Sequence, residues 1–205
     1  MTRSARLLVA LALNLALVGG LAYVGVTAHS LGVLAAGVDY LADAAAIGVA
    51  VIAIRLTARF PKANALAAAV NAGWLFVLSL LVIATGIERL VARTPAVHGL
   101  PVLVMSALAA VVMIGAVLVL GVDFDGDDDS DEGLSHKAVL LDTAADAASA
   151  LGVATAGAVI LATGGFDWLD PAVALAIAAV VDWHAYALLR EARSSLRGER
   201  RAFAP

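Results

Sequence analysis

Long runs of apolar residues, separated by glycine, proline and charged residues, dominate the pattern of this sequence. A helix needs about 20 mostly apolar residues to cross the roughly 30 Å of hydrocarbon in a bilayer. Such runs predict six spans, at about 6–28, 32–55, 64–90, 99–121, 136–163 and 168–190. The runs are too long for barrel strands, and a helix satisfies its own backbone hydrogen bonds in lipid. The predicted fold class is therefore all-α, a polytopic membrane protein with six transmembrane helices.

The composition agrees with a membrane protein and excludes several other classes. Of the 205 residues, 62% are hydrophobic and only 15% are charged, which is more apolar surface than a soluble domain of this size can cover. The chain has no cysteine, so disulfides and thiolate metal ligands are both excluded. It also lacks a basic patch interleaved with aromatic residues, so nucleic acid is not an expected partner. No nucleophile–base pair or nucleotide motif indicates an enzyme.

The distribution of lysine and arginine predicts the orientation in the membrane. If the N-terminus is cytoplasmic, eleven of the 13 basic residues fall on the inside and only Arg89 and Arg93 fall outside. We therefore expect a multi-pass protein of the plasma (inner) membrane with both termini in the cytoplasm. The predicted transmembrane domain covers 1–190, with an acidic cytoplasmic loop at 122–135 and a short basic cytoplasmic tail at 191–205.

Two pairs of aspartates lie inside predicted spans, where carboxylates are costly. Asp39 and Asp43 are one helical turn apart in the second span, and Asp142 and Asp146 repeat this spacing in the fifth. Like charges at this spacing repel each other, most strongly where the dielectric is low. A single aspartate could be protonated or bonded to a neighbouring helix, but two matched pairs flanked by small residues favour a shared divalent-cation site.

Further acids are weaker candidates. The loop contains seven acids between Asp123 and Glu132, including Asp127, Asp128 and Asp129, and either gathers cations at the cytoplasmic mouth or is a solvated linker. Its spacing does not fit an EF-hand. Asp182 in the sixth span is interpreted as an ion-pair or snorkelling partner of nearby bases, with a proton-relay acid as the alternative. For Glu88 and its neighbours Arg89 and His98, a local salt bridge is the simpler explanation.

The motifs around these acids resemble the cation diffusion facilitator family of metal/proton antiporters, over nearly the whole chain. The stretch HSLGVLAAGVDYLAD (29–43) is similar to the family's second span, with its Ser-rich start and its His-or-Asp-x-x-x-Asp pair. The stretch 62–90 resembles the third span. Asp142 and Asp146 fall on the fifth-span pair, and FDWLDPAVALAIAAVV (166–181) resembles the start of the sixth span.

The resemblance implies that Asp39, Asp43, Asp142 and Asp146 are the four ligands of a transport site, around which six helices rock between inward-open and outward-open states. Many members have histidine at the position of Asp39 or Asp142, and a further aspartate where this chain has Ala36. Most members also carry a cytoplasmic ferredoxin-like domain after the sixth span. The sequence is therefore expected to be a short form without that domain, and a homodimer formed through transmembrane helices.

The expected function is export of a divalent metal cation in exchange for protons, with the metal as substrate and no permanently bound cofactor. Four close carboxylates cannot all stay ionised in an empty, dry site, so protons and metal should compete for it. An all-oxygen site shifts the expectation toward Mn²⁺, while Zn²⁺ is the commonest family substrate and Co²⁺, Fe²⁺ and Cd²⁺ stay open. The alternative is a transport-inactive membrane scaffold or partner subunit of a related full-length transporter.

Overall fold

The computed structural model describes the backbone of residues 3–56, 63–92, 94–122 and 131–202. Side chains are described within narrower ranges, chiefly 14–42, 44–45, 69–92, 94–118, 140–187 and 189–190. Asp127, Asp128 and Asp129 lie outside the described residues. Asp43 lies on a described helix, but its side chain is outside the described set.

The described chain forms six α-helices. Their bounds are α1 Arg3–Thr27, α2 Leu31–Leu56, α3 Ala63–Val91, α4 Gly99–Val122, α5 Asp131–Thr163 and α6 Leu169–Ala202. Pro101 and Pro171 lie in the first turns of α4 and α6, where a missing N–H costs the helix no hydrogen bond. The all-α prediction is therefore confirmed.

Two of the helices extend beyond the predicted spans. α5 begins at Asp131, so the last part of the predicted acidic loop is helical, and α6 continues through the basic segment to Ala202. Acidic residues at the start of α5 favour a helix because they complement the positive end of its dipole. Alanine, leucine, arginine and glutamate in the segment after Arg190 are strong helix formers.

The turn between α1 and α2 is tight because two capping motifs follow each other. His29 has a φ of 57°, and its N–H bonds to Val26 O while the N–H of Ser30 bonds to Gly25 O, which terminates α1. Ser30 then accepts a hydrogen bond from the N–H of Val33 at 3.1 Å, so it is the N-cap of α2. Two residues, Ala28 and His29, thus separate the end of α1 from the N-cap of α2.

Three connections meet at one end of the bundle, which we call the three-loop end: 28–30, 94–98 and 164–168. The N–H of His98 bonds to Ala28 O at 3.1 Å, and the N–H of Val97 bonds to Asp167 Oδ1 at 2.9 Å. α1, α3 and α5 end there and α2, α4 and α6 begin there, so consecutive helices run antiparallel.

Helix packing places α2 at the centre of the molecule. α4 packs most extensively on α5 and α3 on α6, whereas α2 contacts α1, α3, α5 and α6. Small residues allow the closest approach: a side chain at Gly157 of α5 would lie 2.9 Å from the backbone N of Leu103, and one at Gly99 of α4 would lie 2.8 Å from Gly157 O. Such glycine crossings are typical of helices packed in a bilayer.

Many large apolar side chains lie on the surface of the described residues. Large hydrophobic side chains such as Leu81 on α3, Val111 on α4 and Trp183 on α6 are exposed. Only 28% of the most apolar stretch of α3, and likewise of α4, is buried within the protein. So much exposed apolar surface is typical of a protein in a non-aqueous environment.

Three helices are long and apolar enough within the described residues to cross a membrane, over Ala69–Val91, Gly99–Leu118 and Leu140–Thr163. Asn14–Thr27 and Leu31–Ala42 are shorter apolar stretches of α1 and α2 in the described part of the chain. The described part of α6 is less apolar, since Asp170, Asp182 and His184 interrupt its apolar run. The structure thus supports a multi-pass protein, and the count of six spans stays a prediction.

Candidate metal-transport site

The α2 pair lies on the central helix. Asp39 is partly buried and makes a polar contact within the protein. Asp43 follows one turn later on the same helix, so the helical backbone turns both positions to about the same side. The neighbouring Tyr40 is almost fully buried, with 1% of its surface exposed.

The α5 pair occupies two different environments. Asp146 is buried, with 7% of its surface exposed. Asp142, one turn away, has a side chain that is 52% exposed. The Asp146 carboxylate is therefore enclosed by protein, whereas the Asp142 carboxylate on the same helix is not.

The structure brings the helices of the two pairs into contact. The Tyr40 hydroxyl of α2 lies 3.5 Å from the backbone carbonyl oxygen of Asp146 of α5 and donates to it. Both residues are buried. The contact places α2 and α5 side by side at the level of the acids.

Among the described side chains, no group of three or more histidines and acids lies close enough to hold a metal ion. One of the four predicted ligands, Asp43, is outside that set. The four-carboxylate site therefore stays a prediction. The structure describes the side chains of Asp39, Asp142 and Asp146 on two touching helices, and it does not gather these three around one point.

Asp182 and His184 of α6 face different neighbours, which corrects the ion-pair interpretation of Asp182. The Ser79 hydroxyl of α3 donates to Asp182 Oδ1. His184 instead lies beside α5, with its Nδ1 3.8 Å from Asp142 Oδ1. Residues two apart on a helix point to nearly opposite sides. In the described part of the chain, Asp182 thus has a hydroxyl partner on α3 rather than a basic one.

Asp170 is a buried carboxylate at the three-loop end whose role the sequence alone did not reveal. It is 1% exposed and accepts hydrogen bonds from Ser30 Oγ, from the N–H of Leu31 at 2.6 Å and from the N–H of Gly32 at 3.1 Å. These are the free N–H groups of the first turn of α2, so Asp170 caps α2 from the start of α6. A side chain at Gly32 would lie 3.1 Å from Asp170 Oδ1, so glycine leaves room for the carboxylate.

Arg89 completes this network and corrects a second interpretation. Its Nη1 lies 3.8 Å from Asp170 Oδ2 and donates to His29 O at 2.7 Å. Arg89 was expected to form a local salt bridge with Glu88. It instead contacts His29, after the end of α1, and Asp170, at the start of α6. The sequence signals for this network were Asp170 before Pro171 at a predicted helix start and Ser30 at another. They did not indicate that Asp170 and Ser30 contact each other.

These observations define a class of protein: an all-helical, multi-pass membrane protein with acidic pairs on two touching helices. The family model of the cation efflux transmembrane domain matches residues 7–197, which is most of the chain. The chain therefore belongs to the cation efflux family, also called the cation diffusion facilitators, as its resemblance indicated. Members of this family are transporters of metal cations and not enzymes. No curated protein matches the chain closely enough to count as a relative.

Proposed function

We propose that this protein is a secondary active transporter that exports a divalent metal cation in exchange for protons, with Asp39, Asp43, Asp142 and Asp146 as the metal ligands. The observation that carries the proposal is the contact of α2 with α5 between Tyr40 and Asp146. It supports a site shared by both acidic pairs, since each pair alone provides only two carboxylates.

Electrostatics supports the exchange of metal for protons. Asp146 is buried and its partner pair lies on the adjoining helix, so the charges interact in a low dielectric. Without a cation, mutual repulsion favours binding of protons. A divalent cation replaces those protons because only deprotonated carboxylates are strong ligands. Export of metal is then coupled to entry of protons.

The asymmetry between the two ends of the bundle supports an access route. The three-loop end is joined by the hydrogen bonds of Asp170, Arg89 and Asp167. Asp142 is half exposed and lies on the part of α5 that is further from that end. The basic residues favour a cytoplasmic location for the opposite end. We therefore propose that the metal enters from the cytoplasm, across the plasma membrane of the cell, and that both termini are cytoplasmic.

The substrate we propose is Zn²⁺ or Mn²⁺. Carboxylates bind both ions, and an all-oxygen set shifts the preference toward Mn²⁺. The proposed homodimer through transmembrane helices and the binding of metal to the acidic loop remain predictions. No described contact favours the alternative of an inactive scaffold.

The test is metal transport by purified protein in liposomes that contain a metal indicator and a pH indicator. We expect Zn²⁺ or Mn²⁺ uptake to be accompanied by opposite proton movement, and to be lost in Asp43→Ala and Asp146→Ala. Glu88→Gln is the matched control, because it removes an exposed carboxylate far from the acidic pairs. Uptake that neither needs nor generates a proton gradient contradicts the antiport. Full transport by the two alanine variants contradicts the site, and no transport by the unsubstituted protein supports the scaffold.

A further inference from the structure

A histidine lies next to the predicted transport site on a helix that supplies none of its four aspartates. His184 of α6 has its Nδ1 3.8 Å from Asp142 Oδ1 of α5. The two side chains are 48% and 52% exposed, so neither is enclosed by other parts of the protein. Zinc in proteins is bound by imidazole nitrogen and by carboxylate oxygen.

The separation of these two atoms is too long for a direct hydrogen bond and leaves room for an ion bound by both. A hydrogen bond between nitrogen and oxygen has a length of about 2.7–3.2 Å. Two ligands of one tetrahedral zinc ion, each about 2.0–2.2 Å from the metal, lie about 3.3–3.5 Å apart. The observed 3.8 Å is longer than a hydrogen bond and within a few tenths of an ångström of the ligand spacing. A small side-chain movement would bring both atoms onto one ion.

The packing of α6 explains why His184 is the side chain presented to α5. Asp182 is directed toward α3, where Ser79 donates to it. His184, two residues on, therefore points away from α3 and toward Asp142. The neighbouring Ala185 is buried and Trp183 and Tyr186 are exposed, which fixes the rotation of this part of α6.

We propose that His184 is an additional metal ligand that acts with Asp142 and makes the site selective for zinc. This inference rests on the proposed function and deepens it. A nitrogen donor changes the site from all-oxygen to mixed, and imidazole suits Zn²⁺ whereas carboxylate and carbonyl oxygens suit Mn²⁺. The histidine that is absent from the four-aspartate set is thus supplied by a third helix.

Equilibrium binding of Zn²⁺ and of Mn²⁺ to the full-length protein in detergent tests the proposal. Loss of a group that merely supports a metal ligand costs about 10- to 100-fold in affinity, so His184→Gln is expected to weaken zinc binding at least about 10-fold. Manganese binding should change by less than about 3-fold, because the glutamine carbonyl still offers the oxygen that this ion prefers. His98→Gln is the matched control, since it makes the same change at an exposed histidine of the three-loop end.

Two more variants distinguish a ligand from an ion-pair partner. His184→Cys retains a zinc ligand and is expected to keep most of the zinc affinity, whereas His184→Lys retains only a positive charge and should lose it. In ¹⁵N-histidine-labelled protein, zinc should shift an imidazole nitrogen resonance that is absent from His184→Gln.

The outcomes separate this inference from the proposed function. Unchanged zinc affinity in His184→Gln, an equal loss for both metals, or full zinc affinity in His184→Lys overturns the ligand role while metal transport by the unsubstituted protein stands. If that protein transports no divalent metal, the proposed function and this inference are both overturned.

Discussion

Asp170 and Asp142 are the same residue type at opposite levels of one bundle, and their surroundings differ completely. Asp170 is buried and receives a hydroxyl and two backbone N–H groups, with Arg89 at 3.8 Å. Asp142 is half exposed, and its described partner is the imidazole of His184, also at 3.8 Å. The first carboxylate has its acceptor capacity filled by protein donors. The second retains capacity for an incoming cation.

The difference teaches that an acid inside a membrane protein is not by itself a sign of ion binding. Intramembrane carboxylates are presumed functional because they are expensive. At Asp170, helix-end N–H groups and the Arg89 guanidinium compensate the charge instead, and the carboxylate joins α6 to α2 and α3. The donors around a carboxylate, rather than its depth, distinguish the two roles.

The largest expected effect is on transport and tests the role of Asp142. Asp142→Asn removes a proposed ligand, so the initial rate of metal uptake in liposomes should fall by about 10- to 100-fold. Stability should change little, because a half-exposed side chain with one distant partner contributes little to folding. Wild-type uptake by this variant would place Asp142 outside the site.

The next largest effect is on stability and tests the role of Asp170. Asp170→Asn replaces a carboxylate that accepts from several donors by an amide whose NH₂ cannot accept, so buried N–H groups at the start of α2 lose partners. The expected cost is about 2–4 kcal/mol. Thermal unfolding in detergent, followed by the fluorescence of the three tryptophans, should show the midpoint lowered by about 5–15 °C.

An unchanged melting temperature in Asp170→Asn would mean that the cap contributes nothing to the fold, and the contrast between the two acids would fail. Glu88→Gln controls for loss of a negative charge at the same end of the bundle, because Glu88 is exposed.

The smallest expected effect is on stability and tests how much Arg89 contributes to the network around Asp170. Arg89→Gln removes the ion partner of Asp170 and the bond to His29 O, but leaves the three hydrogen-bond donors of Asp170 in place. We expect a loss of about 1 kcal/mol, or a melting temperature lower by about 2–4 °C. The double variant with Asp170→Asn should lose less than the sum of the two, because the residues share one network. Strict additivity would show that the two act independently.

Much of the fold could be predicted from the sequence because its signals are local. The breaks at His29-Ser30 and at Gly164-Gly165 lie where helices end, and the structure places a left-handed His29 and a left-handed Gly164 there. The ends of α5 and α6 were less predictable, since charged residues that favour helix can continue it beyond the apolar run. The spacing of the aspartate pairs also followed from the sequence, because a helical turn relates residues four apart.

The partners of the acids could not be predicted in the same way. Asp182 was expected to pair with nearby bases, and Arg89 with its neighbour Glu88. The structure instead pairs Asp182 with Ser79 and Arg89 with Asp170, both on other helices. Neighbours in sequence on a helix often point apart, so a nearby opposite charge is a weak guide to the contact made.

The sequence by itself therefore determined a helical membrane protein with two acidic pairs, because hydrophobic length and residue spacing are properties of single segments. The family came from the match of its motifs to the cation efflux transmembrane domain. Only the tertiary structure decided that Asp170 caps α2 and that His184 accompanies Asp142. Ser30 and Asp170 are 140 residues apart in the chain. Their contact depends on how α6 rotates and slides against α2, and that is set by the packing of small residues across the whole bundle.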